Sequence, residues 1–222
     1  MNRDFLISRE NVKLEDRKFI LGILEKLGKI DYIKPEDIPN IDLYMDQVTT
    51  FVDEQLASLK RFEDDKMLTK TMINNYTKNN LLPPPQKKKY SKNHMFLLIY
   101  IYYLKSVISI SDIKEIINPL TEKFFKNDET DIDLTKIYDH IFNMEMDSSK
   151  GITKDIINKY NYACEHFKDM PDDNDDKDFL VKFSFICLLC SDVYIKKTII
   201  EKLIDESILR KYVDKEEKED KR

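Results

Sequence analysis

Thr71, Asn74, Asn75 and Lys78 recur at i, i+3, i+4 and i+7, so on a helix over 70–79 they share one face, opposite Met72, Ile73 and Tyr76. Asparagine can pair with the N6 and N7 edge of adenine in the major groove. Lysine and threonine suit phosphates or base edges, and a helix N-terminus attracts phosphate. One side of such a helix packs and the other is equipped to read. Beyond it the Pro83-Pro84-Pro85 run forbids helix and favours an extended backbone, and Lys87, Lys88, Lys89 and Tyr90 follow on that stiff excursion. The spacing suits a wing that touches the flanking nucleic-acid backbone. Lys70, Lys78, Lys87, Lys88 and Lys89 are thus expected to neutralise phosphates, with Thr71, Asn74 and Asn75 facing base edges and Tyr90 closing the wing.

A polar helix face or a lysine triplet taken alone reads as solvated surface. The charge distribution is what separates this segment from that reading. Between Asp65 and Asp112 stand 46 residues without one Asp or Glu, in a chain of 222 residues that has 42 of them. The window holds eight lysines, so with the whole chain at −5 the remainder carries −13. A sequence pI near 5.4 conceals this dipolar arrangement.

Other groups with metal or catalytic chemistry are weaker. Cys164, His166, Cys187 and Cys190 could supply four zinc ligands, which would make a metal or thiol sensor. Cys187 and Cys190 stand i, i+3 inside the apolar helical stretch SFICLLCSDV, however, where cysteines pack in a core. The loop Asp172-Asp173-Asn174-Asp175-Asp176 departs from a calcium loop, with Lys177 where Gly is needed and Phe183 where Glu is needed. His94, His140 and His166 are scattered without nucleophile partners, and no glycine-rich phosphate cradle exists. The expectation is a non-enzymatic protein without metal or cofactor.

The positioning elements are helical. Three Gly, no Trp and 41% apolar residues at helical spacing predict an all-α fold with a core of ordinary size. Helices are expected over 10–28, about 41–60, 70–79 with Thr69 as N-cap, and 92–106 with Ser91 as N-cap. A further one is capped by Ser111 and ended by Pro119, and others follow over 131–146, 152–169 and 179–212. The block MFLLIYIYYL is apolar on every side and belongs at the centre of a core, with Tyr100, Tyr102 and Tyr103 packing there or at an interface. Its ten-residue apolar run, Met95 to Leu104, is half of what spans a bilayer, and the N-terminus lacks an apolar signal core. Three cysteines, an odd number, then point to a reducing, cytoplasmic setting.

The run from Leu68 to Ile117 also resembles the DNA-binding domain of MerR-type regulators. Tyr76 stands at the end of the reading helix, Leu81-Leu82-Pro83-Pro84 at the turn, Tyr90 at the close of the wing and Ser109 to Ile117 in the last helix. It departs at Asn74-Asn75, where that family has Arg-Tyr, and at Asn80, where it has a turn glycine. A closer resemblance is to a bacterial family of unknown function from low-GC Gram-positive bacteria. The blocks Ile38 to Val48, Leu68 to Lys78, Leu82 to Ser91 and Ile108 to Lys114 carry it, and it implies a regulator without enzyme activity or known ligand.

The expected architecture is therefore an N-terminal helical extension (1–40), a winged helix-turn-helix-like domain (41–120), a C-terminal helical bundle (121–212) and a charged tail (213–222). The expected partners are double-stranded DNA and a second copy of the chain, paired through the 179–212 helix, with no membrane and with any small-molecule effector unidentified. The rival expectation is a helical interaction module whose basic surface docks an acidic protein.

Overall fold

A two-residue strand, β1 (Leu43–Tyr44), leads directly into helix α1 (Met45–Gln55), where the Gln47 side chain accepts the Tyr44 N–H at 2.8 Å. The chain is described by a computed structural model over residues 33–125, 133–171 and 175–206, together with Lys18, Ile20 and Gly22. After a 3-10 turn at Ala57–Leu59 come helix α2 (Lys70–Lys78), strand β2 (Lys89–Tyr90) and helices α3 (Lys92–Leu104), α4 (Ile110–Phe124), α5 (Leu134–His166) and α6 (Asp175–Glu206). With 71% helix and two short strands the fold is all-α in class. The 10–28 helix lies outside the described residues apart from Lys18, Ile20 and Gly22, as do the end of the 179–212 helix and the charged tail.

Two compact units are distinguished: residues 31–143 with 197–222, and residues 1–30 with 144–196. In the first, α3 supplies the centre of the core. Met95, Phe96, Leu97, Leu98, Ile99 and Ile101 are all buried, against Val48, Val52 and Leu56 of α1 and Ile73 of α2. A helix apolar all round is stable only when enclosed all round, and this one is wrapped by α1, α2, α4 and the start of α5. Tyr100, Tyr102 and Tyr103 are half-buried at its margin. Tyr138 of α5 closes the unit by donating its hydroxyl to the Ile33 carbonyl at 2.7 Å. The second unit is smaller: Ile20 and Ile157, Tyr160 and Ala163 of α5 pack on Val181 and Phe185 of α6.

Several boundaries differ from the expected ones. The helix expected from about 41 starts at Met45, because Leu43 and Tyr44 pair antiparallel with Tyr90 and Lys89. Ser109, not Ser111, caps α4: its Oγ accepts the Asp112 N–H at 3.1 Å while Asp112 accepts the Ser109 N–H, a reciprocal pair that Ser111 cannot form from inside the first turn. Pro119 does not end α4. One lost hydrogen bond is outweighed there by burial of Ile117 and Pro119 and by packing of Leu120 and Phe124 on the core. Nor do Ser148 to Gly151 interrupt α5, which runs through them. A glycine costs about 1 kcal/mol relative to alanine in a helix, too little to split a long one with good helix formers on both sides.

Candidate nucleic-acid interface

Helix α2 forms because Thr69 caps it, accepting the Met72 N–H at 3.2 Å, and because Ile73 and Tyr76 bury one side against α1 and the core. Thr71, Asn74, Asn75 and Lys78 are all exposed on the other side, as their spacing requires. The helix ends in a Schellman motif: Leu81 N–H reaches the Tyr76 carbonyl at 2.8 Å, and Asn80 N–H the Thr77 carbonyl at 3.1 Å. Asn80 takes the left-handed conformation this motif needs, with φ 56°. Asparagine tolerates that region better than most residues, which explains how it occupies a position where glycine is usual.

The polyproline segment then enters a tight hairpin. Gln86 and Lys89 exchange two backbone hydrogen bonds of 3.1 and 2.9 Å, and the two residues between them, Lys87 and Lys88, have φ of 49° and 65°. Positive φ at both central positions defines a type I′ turn, whose preferred occupants are Asn-Gly or Gly-Gly. Lysine has a Cβ, and left-handed backbone costs such a residue roughly 1–2 kcal/mol. Two exposed lysines thus stand at the tip under local strain, and this kind of strain concentrates at functional positions.

The hairpin is anchored from below. Lys89 pairs with Tyr44 across the β1–β2 ribbon and holds its ammonium 5.1 Å from the Tyr44 ring centre, so this lysine is half-buried and already engaged. Tyr90 is only 3% exposed, its ring edge-on to His94 at 5.5 Å. The expectation of Tyr90 on the contact surface is therefore corrected: alternation along β2 turns it into the core, where it anchors the hairpin. Tyr76, at 8%, is likewise unavailable for base stacking.

His94, one residue that the sequence pattern alone did not assign to the site, sits beneath both pieces. Its Nδ1 accepts the Ser91 N–H at 3.0 Å, which puts the ring proton on Nε2, and the ring lies between Tyr90 and Phe125. Burial holds its pKa below the usual 6.5, although the carbonyls of Pro84 and Pro83 and the charge of Asp42 pull the other way. The neutral imidazole thus caps the start of α3 through Ser91 and packs between Tyr90 of the hairpin and Phe125. The Ser-x-x-His spacing at a helix start was the available signal, since it sets a side chain to reach back to the cap.

On the other flank, Asp53 of α1 fixes the loop into α2. It accepts from Lys60 Nζ at 2.7 Å and from the Met67 N–H at 3.4 Å, and the Lys60 hydrogen bond holds its carboxyl below the ordinary range. Lys105 of α3 donates to the Met67 carbonyl at 3.3 Å and is partly desolvated, so it serves the fold and not the surface. Lys70 is exposed but ion-paired with Asp46. An open groove of about 430 Å³ runs beside the α2 N-terminus, lined by Thr49, Thr50 and Glu54 of α1 with Lys66, Thr69 and Lys70. Lys70 and Thr69 were expected here; Thr49, Thr50 and Glu54 were not singled out, because α1 and α2 meet only in the fold.

The cysteines and histidines behave differently from expectation. Cys187 and Cys190 are exposed, not packed in a core, because at their level of α6 the covered side is that of Val181, Phe185 and Leu189. His166 is exposed, with Nδ1 3.0 Å from the Tyr162 carbonyl, and Cys164 is half-buried. Among the described residues no three His, Cys, Asp or Glu side chains converge as metal ligands, and no helix is long and apolar enough to cross a membrane. Asp172 to Asn174 of the acidic loop lie outside the described residues.

The architecture up to this point is that of a small helical domain with a strand-anchored basic hairpin. Residues 33–142 match the family described as Domain of unknown function (DUF1836), so the first unit, from before β1 into the opening turns of α5, contains a DUF1836 domain. No curated protein and no solved structure matches the chain.

Proposed function

We propose that the DUF1836 domain is a winged helix-turn-helix-like DNA-binding unit of a non-enzymatic transcriptional regulator that acts in the cytoplasm as a homodimer. In this reading α2 enters the major groove with Thr71, Asn74 and Asn75 toward base edges and Lys78 toward phosphate. The Gln86–Lys89 hairpin lays Lys87 and Lys88 over the adjacent backbone, and Lys70 reaches phosphate once released from Asp46. The observation that carries it is the hairpin tip, where two successive lysines hold a strained conformation that glycine would adopt freely. The order strand, helix, helix, hairpin, core helix agrees with that of winged helices, and the acid-free window coincides with the exposed side of α2 and the hairpin.

The test is fluorescence anisotropy of an AT-rich duplex titrated at several salt concentrations. The wild type should bind with a log–log salt slope near 0.9 per phosphate contacted, and Lys87→Ala with Lys88→Ala should lower that slope by about two. Absence of binding at about 50 mM salt, where non-specific contacts still register, overturns the proposal and leaves docking of an acidic protein as the better account of the basic surface.

A further inference from the structure

Helix α6 has a second apolar side that nothing among the described residues covers. Phe179, Phe183, Ile186 and Val193 are 63, 54, 56 and 62% exposed. Cys190 is exposed as well, and the rings of Phe179 and Phe183 stack at 6.0 Å. The residues 179, 183, 186, 190 and 193 are spaced four, three, four, three, which is the a/d seam of a coiled coil, with d at 179, 186 and 193 and a at 183 and 190. The opposite side, Val181 and Phe185, is occupied by α5, and Lys159 of α5 is locked to Asp192 at 2.8 Å. The bare seam is therefore not the face that holds the unit together.

We infer that this seam is the contact between two copies of the chain, paired antiparallel about an axis at Ile186. Three considerations choose that occupant. Aromatic side chains bury roughly 150–250 Å² each, and with Ile186, Cys190 and Val193 added the half-exposed seam leaves up to about 600 Å² of apolar surface open per copy, the upper end of what a monomer ordinarily exposes. A pair would bury roughly 1,200 Å², the lower bound of a stable specific interface. The ends of the seam differ in net charge: Asp175, Asp176 and Asp178 outnumber Lys177 before Phe179, with Asp178 paired to Lys182 in the same helix, and Lys196 and Lys197 follow Tyr194, with Lys197 paired to Glu201. An antiparallel pair about Ile186 sets Phe179 against Val193, Phe183 within about 1.5 Å of the level of Cys190, and the acidic end against Lys196. A parallel pair would set acid on acid and lysine on lysine. The inference does not depend on the DNA reading, which the salt slope tests separately.

The two exposed thiols report the register. About Ile186, with a rise of about 1.5 Å per residue, the two Cys187 residues lie on the same flank offset by about 3 Å along the axis. The two Cys190 residues are offset by about 12 Å. In the full-length chain carrying Cys164→Ser, a short bismaleimide should join copies that retain Cys187 (with Cys190→Ser) and fail with copies that retain Cys190 (with Cys187→Ser). The reverse pattern means parallel pairing and overturns the proposed register. By sedimentation equilibrium the wild type should be a dimer at micromolar concentration. Ile186→Asp should be a monomer of unchanged far-UV dichroism, while Ile195→Asp, exposed on another side of α6, stays a dimer. A wild-type monomer overturns the inference: with Cys190 shielded from maleimide, another part of the same chain covers the seam, and with Cys190 reactive, the seam belongs to a different partner.

Discussion

Helices α3 and α6 are both apolar on more than one side, yet they sit in their units in opposite ways. Each apolar residue from Met95 to Ile99 is buried, whereas Phe179, Phe183, Ile186 and Val193 remain more than half exposed. The unit around α3 encloses its central helix and displays a basic face over α2 and the hairpin. The unit holding residues 144–196 leaves the Phe179–Val193 side of α6 apolar and exposed. The contrast underlies the two proposals: charge and amide groups offered to a polyanion on the first, apolar area offered to a like surface on the second.

The largest effect that tests this contrast is in the first core. Phe96→Ala should lower stability by about 3–5 kcal/mol in urea unfolding, while Ile195→Ala on an open side of α6 should stay within about 0.5 kcal/mol. A loss above 2 kcal/mol at Ile195, on the order of a core deletion, would mean that this side is covered too and would erase the contrast.

His94→Gln comes next and separates pH regimes. Because burial holds the folded pKa below the usual 6.5, the unfolded chain takes up the proton more readily. The stability that neutral His94 provides is complete above about pH 6.5 and declines as pH falls below it. Asp53, also held below its usual 3.8, contributes above that value and loses its contribution only as pH falls through its lower folded pKa. Urea midpoints for the wild type should therefore fall between pH 7 and pH 5, and the variant, lower by about 1–3 kcal/mol at neutral pH, should change less. Equal slopes would show that the buried imidazole is not the source of this pH dependence.

Lys88→Gly should act in two directions at once. Removing a strained side chain should raise stability by about 1 kcal/mol, and the DNA salt slope should drop by about one. A gain in stability with no change in slope would leave the strain without a functional purpose. The smallest effect belongs to the second unit: an added Cβ at Gly151 meets nothing within 4 Å, so Gly151→Ala should stabilise α5 by about 0.5–1 kcal/mol, seen as a rise in Tm.

Local rules read well wherever a helix carried its own stop and start signals. Thr69 and Ser91 begin α2 and α3 where their positions predict, and the exposed and buried sides of α2 follow from spacing alone. The same rules misplaced the α4 cap and predicted breaks at Pro119 and at Ser148 to Gly151, because they weigh a local cost without the packing or helix length that outweighs it. The hairpin's anchorage was invisible for another reason. Strands of two residues have no periodicity to detect, so neither the Leu43–Tyr90 pairing nor the burial of Tyr90 could be inferred from pattern.

Residue order by itself determined the helical class, the acid-free basic window and the two faces of α2, since these depend on neighbours within a few turns. Only the tertiary structure decided that Lys87 and Lys88 share a strained hairpin tip, that Lys89, Tyr90 and Lys105 serve the scaffold, and that one of the two apolar sides of α6 is left bare. Those outcomes depend on which distant segment arrives to cover or oppose each side chain, and hydrophobicity along the chain carries no record of the partner.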